Sequence, residues 1–211
     1  MIKAVIFDMD GVLIEAKDWH YEALNKALEL FGFHISRFEH LTAFDGLPTK
    51  TKLERLSVEK GLPRELHKFI NEIKQDYTMD MVHALCKPRF NHEYALSKLK
   101  VDGYKLAVAS NSIRHTIDAM MEKAHLKRYL DCFLSNEDVE KPKPSPEIYV
   151  KTIEKLELSP KECLIVEDNE NGIKAALASG ANLLQVKEVS DVTYENITTR
   201  IAQINAGGNN L

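Results

Sequence analysis

The chain has 211 residues, 44% hydrophobic and 28% charged, which is enough to bury a sizeable core in one domain or in a domain with a smaller companion. The net charge of -4 argues against a broad nucleic-acid or membrane-surface footprint. Three widely spaced cysteines exclude a disulfide framework, and neither a signal-peptide pattern nor a bilayer-spanning stretch occurs, so we expect a cytoplasmic protein.

Five short apolar runs along the chain are predicted to form β-strands. They lie at residues 2–7, 105–110, 132–135, 163–168 and 182–186. Each run is nearly continuous in apolar character, which is typical of a parallel sheet covered on both faces. Helical patterns lie between them, at 112–126, 145–157 and 170–179. This alternation predicts a doubly wound α/β fold. The tail after about Val192 is polar, and its NAGGNN segment is expected to fray.

One segment breaks the alternation of strand and helix. Between about Trp19 and Cys86 the apolar residues recur at helical spacing, and no strand pattern occurs. We therefore predict a small all-helical domain at residues 16–86, inserted after the first strand. The core domain would then consist of residues 1–15 and 87–211.

Polar residues follow three of the predicted strands at the point where each strand ends. They are Asp8 and Asp10 after the first strand, Ser110 and Asn111 after the second, and Glu167 and Asp168 after the fourth. In open α/β sheets ligands bind outside the carboxyl ends of the strands. We therefore expect these side chains to converge on one edge of the sheet.

A pair of carboxylates at such an edge suits phosphoryl transfer. Asp8 could attack phosphorus and form an aspartyl-phosphate, which divides one difficult displacement into two easier ones. Magnesium would let the two anions approach, because it bridges carboxylate and phosphate oxygens. Asp10 could protonate the leaving group and later activate water. Ser110 could hold phosphate oxygens or cap the next helix, and Lys143 could balance the remaining charge.

Four segments carry a resemblance to a known family. In chain order they are FDMDGVL, ASNS, KPSPEIY and IVEDNENGIKAALASGA. They resemble the four ordered motifs of the haloacid dehalogenase superfamily, and four motifs in order are specific where one alone is weak. The resemblance covers roughly residues 2–187. Within the superfamily the chain is similar to the branch with a helical cap after the first motif, which includes the β-phosphoglucomutase-like phosphatases. A Rossmann-like core with a helical cap is implied.

The resemblance implies a role for each residue that matches a motif. Asp8 resembles the nucleophile, and Asp10 resembles the general acid/base, whose backbone carbonyl would also ligate magnesium. Ser110 and the Asn111 backbone resemble the phosphate-binding motif. Asp168 resembles the main acidic magnesium ligand.

Two positions leave alternatives open. Lys143 falls in register with the third motif, but Lys141 lies two residues away in the same Lys-Pro-Lys-Pro stretch. Glu167 is either a direct magnesium ligand or a residue that orients the metal site from outside it.

The helical insertion resembles the family's cap, which implies that it closes over the site and selects the leaving group. His20 matches a position near the cap hinge, although a histidine on a helix face is the alternative. The loop at 44–50 resembles the substrate-specificity loop, with Gly46 allowing close backbone approach. Lys50 and Lys74 are candidate contacts for a polar or anionic leaving group, with solvated surface lysines as the alternative.

Asp45 is a departure within this loop, because the phosphoglucomutase relatives carry a basic residue there. A carboxylate would repel a second phosphate; the alternative is that Asp45 points to solvent and only shapes the turn.

We predict a magnesium-dependent phosphatase for a small phosphate monoester, with a sugar phosphate as a candidate substrate. A phosphomutase of the β-phosphoglucomutase type is the alternative, and a non-catalytic binding module is disfavoured by the presence of Asp10. We expect a monomer that binds a small phosphorylated metabolite and neither nucleic acid nor membrane.

Overall fold

The computed structural model describes residues 1–207 and divides the chain into two compact units. The larger unit consists of Met1–Glu15 and the chain from Lys87 onward, and the smaller unit is Ala16–Cys86. Within residues 1–207, no helix combines the length and the apolar character that crossing a membrane requires.

The larger unit contains a five-stranded sheet in which every pairing is parallel. Its strands are β1 (Ala4–Phe7), β2 (Lys105–Ala109), β3 (Cys132–Leu134), β4 (Cys163–Glu167) and β5 (Asn182–Gln185). They lie side by side in the order β3-β2-β1-β4-β5. Phe7 pairs with both Val108 and Val166, so the residues that follow β1, β2 and β4 leave the sheet at one level. The predicted doubly wound α/β fold is confirmed.

Helices account for most of the remaining chain. In the described residues the α-helices are α1 (Lys17–Glu29), α2 (Arg37–Glu39), α3 (Thr49–Lys60), α4 (His67–Leu85), α5 (Phe90–Val101), α6 (Arg114–Lys123), α7 (Glu147–Lys155), α8 (Glu170–Ala178) and α9 (Tyr194–Asn205). The first four belong to the smaller unit and the last five to the larger.

Helix α9 lies in the tail after Val192, for which polar character was expected and no helix was predicted. The Thr193 hydroxyl accepts a hydrogen bond from the Asn196 N–H and caps the helix, while Ile197 and Ile201, four residues apart, are buried. The sequence analysis therefore missed this helix. The last residues of the NAGGNN segment, from 208 onward, lie outside the described residues.

Each unit has its own apolar core. In the larger unit the sheet packs against α7 and α8, and all four residues of β1 are fully buried. Burial on both faces explains why the strands lack alternation in the sequence. In the smaller unit the core lies among α1, α3 and α4 and includes Leu24, Leu28, Leu56 and Ile70.

Candidate active site

Asp8 stands at the carboxyl end of β1, and the backbone fixes its position. Its N–H donates to the Val166 carbonyl at 3.0 Å, which extends the pairing with β4 by one residue. The chain then turns tightly, because the three N–H groups after Gly11 all donate to the Met9 carbonyl. Gly11 has a φ of +93°, a conformation that favours glycine. The turn brings Asp10 to the same edge as Asp8.

Lys143 connects the nucleophile candidate to two other side chains. Its Nζ donates to Asp8 Oδ1, Tyr149 Oη and Glu167 Oε1, each at 2.7 Å. A lysine has three N–H donors, so all three are engaged. Lys143 is only 4% exposed, whereas Lys141 is exposed to solvent. Of the two lysines that the sequence left open, the structure places Lys143 against Asp8.

Glu167 is held from both sides of its carboxylate. Oε1 accepts hydrogen bonds from Lys143 Nζ at 2.7 Å and from the Tyr149 hydroxyl at 2.6 Å. Oε2 accepts from the backbone N–H groups of Asp168 and Asn169 at 3.0 and 3.2 Å. The side chain is 1% exposed. Its orientation is thus set by four donors.

Helix α8 begins directly beside this carboxylate. Its N-cap is Asn169, whose side chain accepts a hydrogen bond from the Asn171 N–H. A Cβ at Gly172 would lie 1.7 Å from Glu167 Oε1, which is far inside any allowed contact. The absence of a side chain at Gly172 therefore makes room for the carboxylate.

The loop after β2 contacts both Asp10 and the lysine segment. Ser110 is buried, and its Oγ accepts from the Ser112 N–H at 3.1 Å; Ser112 Oγ in turn donates to Asp10 Oδ2 at 2.9 Å. The Asn111 side chain accepts from the Lys143 N–H at 3.1 Å and donates to the Lys143 carbonyl at 3.4 Å. The sequence analysis assigned Asn111 a role through its backbone only, and it missed Ser112.

The alternative in which Ser110 caps the next helix is wrong. Helix α6 begins at Arg114, and its N-cap position is occupied by Ile113.

Tyr149 was also missed as a site residue. The signal was present in the KPSPEIY motif, but a tyrosine in a helical pattern is expected to be a core residue, and its ring is indeed fully buried.

Charges at this edge strongly perturb one another. Burial raises the pKa of Asp8 well above its usual range; Lys143 opposes this rise, and the nearby carboxylates of Glu167, Asp10 and Asp168 add to it. Burial alone would lower the pKa of Lys143, but the carboxylates of Asp8 and Glu167 outweigh it and hold that pKa above its ordinary value. The excess of negative charge favours a bound cation.

The donor atoms at this edge suit a magnesium ion. One carboxylate oxygen each from Asp8, Glu167 and Asp168 lie within 4.8 Å of one another. An all-oxygen set of this kind fits magnesium, which prefers carboxylate, carbonyl and water ligands. The described residues thus contain a carboxylate cluster that could hold the ion.

In the smaller unit, two of the predicted residues lie close together. His20 on α1 and Lys74 on α4 approach to 3.3 Å between Nδ1 and Nζ. Lys74 is 6% exposed, so the alternative of a solvated surface lysine is wrong for this residue. Lys50, by contrast, is exposed at the start of α3.

The loop at 44–50 presents Asp45 beside a buried histidine. The Asp45 N–H donates to the His40 carbonyl at 2.9 Å, and Asp45 Oδ1 lies 3.9 Å from His40 Nε2. Burial, with Lys52 nearby, lowers the pKa of His40 to about 4. The Asp45 side chain is 22% exposed, and Gly46 has a φ of +69°. The roles of these residues in substrate binding stay predictions.

Comparison with known proteins agrees with this geometry. The sequence matches the family described as haloacid dehalogenase-like hydrolase over residues 5–186. It is 27% identical over 179 residues to a phosphorylated carbohydrates phosphatase of Thermotoga maritima, covering 85% of this chain and 82% of the relative. It is 29% identical over 179 residues to a phosphoglycolate phosphatase of Aquifex aeolicus, with the same coverage of 85% and 82%.

Solved structures extend the likeness in fold. A crystal structure of β-phosphoglucomutase from Clostridium difficile superposes with a TM-score of 0.85 at 21% identity, covering 98% of this chain and 100% of that one. The family match and the phosphatase relatives confirm the predicted enzyme class, a phosphoric monoester hydrolase. The chain therefore belongs to the haloacid dehalogenase-like hydrolases, and its relatives in sequence include phosphatases.

Proposed function

We propose that the protein is a magnesium-dependent phosphatase that hydrolyses a small phosphate monoester through an aspartyl-phosphate on Asp8. The observation that carries the proposal is the ion pair of 2.7 Å between Asp8 and the buried Lys143, at the edge of the sheet where Asp10, after β1, and Asp168, after β4, also lie. A sugar phosphate is the candidate substrate, since one relative acts on phosphorylated carbohydrates.

The residues divide the reaction into two displacements. In the first, an Asp8 oxygen attacks phosphorus, the bond from phosphorus to the leaving oxygen breaks, and the Asp10 carboxyl donates its proton to that oxygen. In the second, Asp10 takes a proton from water, and the resulting hydroxide displaces Asp8 and releases inorganic phosphate. Ser110 and the Asn111 backbone would hold phosphate oxygens, while Lys143 offsets charge around Asp8.

The metal site would use residues from two neighbouring strand ends. We propose that carboxylates of Asp8 and Asp168 and the Asp10 backbone carbonyl hold magnesium, with Glu167 either joining them or acting from outside. When bound, the ion neutralises charge on the phosphoryl oxygens.

The test is a panel of phosphorylated metabolites incubated with purified protein and magnesium, with free phosphate as the readout. We expect release from at least one monoester, and loss of that release in excess chelator with recovery on adding magnesium. Full activity in excess chelator would contradict metal dependence. Release from no monoester would contradict the phosphatase proposal.

The same assay separates phosphatase from phosphomutase. The protein is incubated with hexose 1-phosphates and a bisphosphate primer, and both isomers are followed together with free phosphate. We expect net phosphate release, because Asp45 places a carboxylate in the loop where a second phosphate would need a cation. Isomerisation with little phosphate released would establish the mutase instead.

We also propose that the protein acts in the cytoplasm as a monomer. The cysteines Cys86, Cys132 and Cys163 are free, which agrees with a reducing compartment. Light scattering coupled to size exclusion measures the oligomeric state, and a mass of about 24.0 kDa is expected for the monomer.

A further inference from the structure

We infer that the Tyr149 hydroxyl makes Glu167 a positioning residue for Lys143 rather than a magnesium ligand. This inference rests on the proposed function, because it concerns which carboxylates hold the metal of that site. Glu167 and Asp168, which are adjacent in the sequence, would then have different roles: Glu167 positions Lys143, and Asp168 binds the metal.

The capacity of the carboxylate is the first step. An ionised carboxylate offers about four lone-pair sites on its two oxygens. Glu167 already receives four hydrogen bonds, two at Oε1 from Lys143 and Tyr149 and two at Oε2 from backbone N–H groups. A direct bond to a metal would require one of these donors to leave a buried site.

Tyr149 supplies the donor that completes this set. Its hydroxyl accepts from Lys143 Nζ at 2.7 Å and donates its proton to Glu167 Oε1 at 2.6 Å. With the direct bond of 2.7 Å from Lys143 to Glu167, the three groups form a closed ring of hydrogen bonds. The remaining lysine proton points to Asp8 Oδ1. The ring therefore aims the ammonium at the nucleophile.

The backbone prevents the carboxylate from turning away. The two amide donors belong to the chain that leads directly into α8, and the helix lies so close that no side chain fits at Gly172. The Tyr149 ring is fully buried and lies 4.6 Å from Lys143 Nζ, measured to the ring centroid. Glu167 is therefore fixed toward the lysine, and Asp8, Asp168 and the Asp10 carbonyl are left as the metal ligands.

Metal affinity, measured without any reaction, tests the assignment. Manganese(II) is titrated into the full-length wild-type protein, E167Q and D168N, and binding is followed by electron paramagnetic resonance. We expect D168N to weaken binding at least tenfold more than E167Q does. A smaller difference between the two variants overturns the inference. If the wild-type protein binds no metal, the proposed metal dependence fails, and the inference fails with it.

A crystal structure of the wild-type protein with magnesium and beryllium fluoride gives the same answer without any variant. A Glu167 oxygen at the usual magnesium–oxygen distance of about 2.1 Å overturns the inference, and a hydrogen-bonded Glu167 outside the coordination shell supports it. This measurement covers the case in which E167Q fails to fold.

A double-mutant cycle tests the part of Tyr149. We expect Y149F and E167Q each to lower kcat about tenfold with KM within about twofold, and the double variant to be no worse than the poorer single one, because both act through Lys143. Additive losses, about a hundredfold in the double variant, overturn the role of Tyr149. The matched control is Y194F, which removes a phenol hydroxyl that donates to Asp102. This change should leave kcat unchanged.

Discussion

The two units hold their polar clusters in different ways. In the larger unit, Asp8, Lys143, Tyr149 and Glu167 come from three separate segments of the chain and are joined by contacts of 2.6 to 2.7 Å. In the smaller unit, the two pairs that contain predicted site residues are longer, 3.3 Å from His20 to Lys74 and 3.9 Å from His40 to Asp45. Tight mutual fixation is what charge stabilisation in a reaction requires, whereas looser pairs can adjust to different ligands.

This contrast leads us to expect large catalytic effects from substitutions in the first cluster. Substitutions in the two pairs of the smaller unit should change stability or substrate preference and leave the chemistry in place. Four changes test the contrast, and a fifth, at Ser112, tests the loop that contacts Asp10.

The largest effect is expected for Asp8→Asn. Turnover should fall by on the order of 10⁴ or more, because an amide cannot act as the nucleophile. The melting temperature should hold or rise, since the change removes one of several carboxylates that repel each other at this edge. Phosphate release and thermal melting measure the two quantities. Phosphatase activity above a trace would show that Asp8 is not the nucleophile.

Lys143→Met should lower kcat by about two to three orders of magnitude, because the buried charge that offsets Asp8 and Glu167 is lost. Lys141→Met is the matched control, and it should leave kcat within about twofold of the wild-type value. Steady-state kinetics on one substrate decide between them. An equal loss in the two variants would contradict the assignment of the lysine.

The buried His40 predicts a pH dependence of stability that originates in the smaller unit. Its pKa is lowered from 6.5 to about 4 by burial, so the unfolded chain binds a proton that the folded one does not bind between these values. The free energy of unfolding should therefore fall as the pH drops from about 6.5 to about 4. This residue should account for about 3 kcal/mol of that fall.

Urea unfolding of the wild-type protein and of His40→Gln at pH 7.5 and 4.5 measures the contribution. The variant should lose about 2 to 3 kcal/mol less than the wild type over this interval, while other titrating groups contribute equally to both proteins. Equal losses would mean that His40 does not stay neutral in the fold.

Ser112→Ala should weaken the proposed acid catalysis, because Ser112 Oγ holds Asp10 Oδ2 at 2.9 Å. We expect kcat/KM to fall about tenfold for an alkyl phosphate and much less for p-nitrophenyl phosphate, whose leaving group needs no proton. Ser112→Thr should restore most of the difference. A similar loss on the two substrates would indicate a structural role alone.

The smallest effect is expected for Asp45→Lys. If the loop at 44–50 contacts the substrate as predicted, the change should improve kcat/KM for substrates with a second phosphate and reduce it for the native one. Each change in kcat/KM should be at most about fivefold, because a partly solvated charge pair contributes little free energy. Asp45→Asn is the control that removes charge without reversing it. No change in the ratio of the two substrates would place Asp45 outside substrate recognition.

The sequence predicted the strand ends and hence the meeting of Asp8, Ser110 and Asp168 at one edge, because continuous apolar runs and parallel topology leave little freedom there. It could not predict whether the backbone or the side chain of a loop residue faces the site. Asn111 was assigned through its backbone, yet its side chain bonds the Lys143 segment. Such orientations depend on rotamers that no periodicity encodes.

Tyr149 and α9 were missed for different reasons. A tyrosine at a helical core position looks apolar in a pattern, and only the packed structure shows where its hydroxyl points. Helix α9 has a capping Thr193 and apolar residues at Ile197 and Ile201, which together are a sufficient signal. That signal was outweighed by the polar composition of the surrounding tail.

Gly172 has a consequence for attempts to make the enzyme more heat-resistant. Replacing a glycine inside a helix with alanine usually gains about 1 kcal/mol, so this position would rank high in any stabilising redesign. Here the added methyl group would collide with the Glu167 carboxylate. Helix α8 must therefore keep a glycine at position 172, although alanine would have the higher helix propensity. Substitutions that raise the stability of this protein will have to be sought at positions other than Gly172.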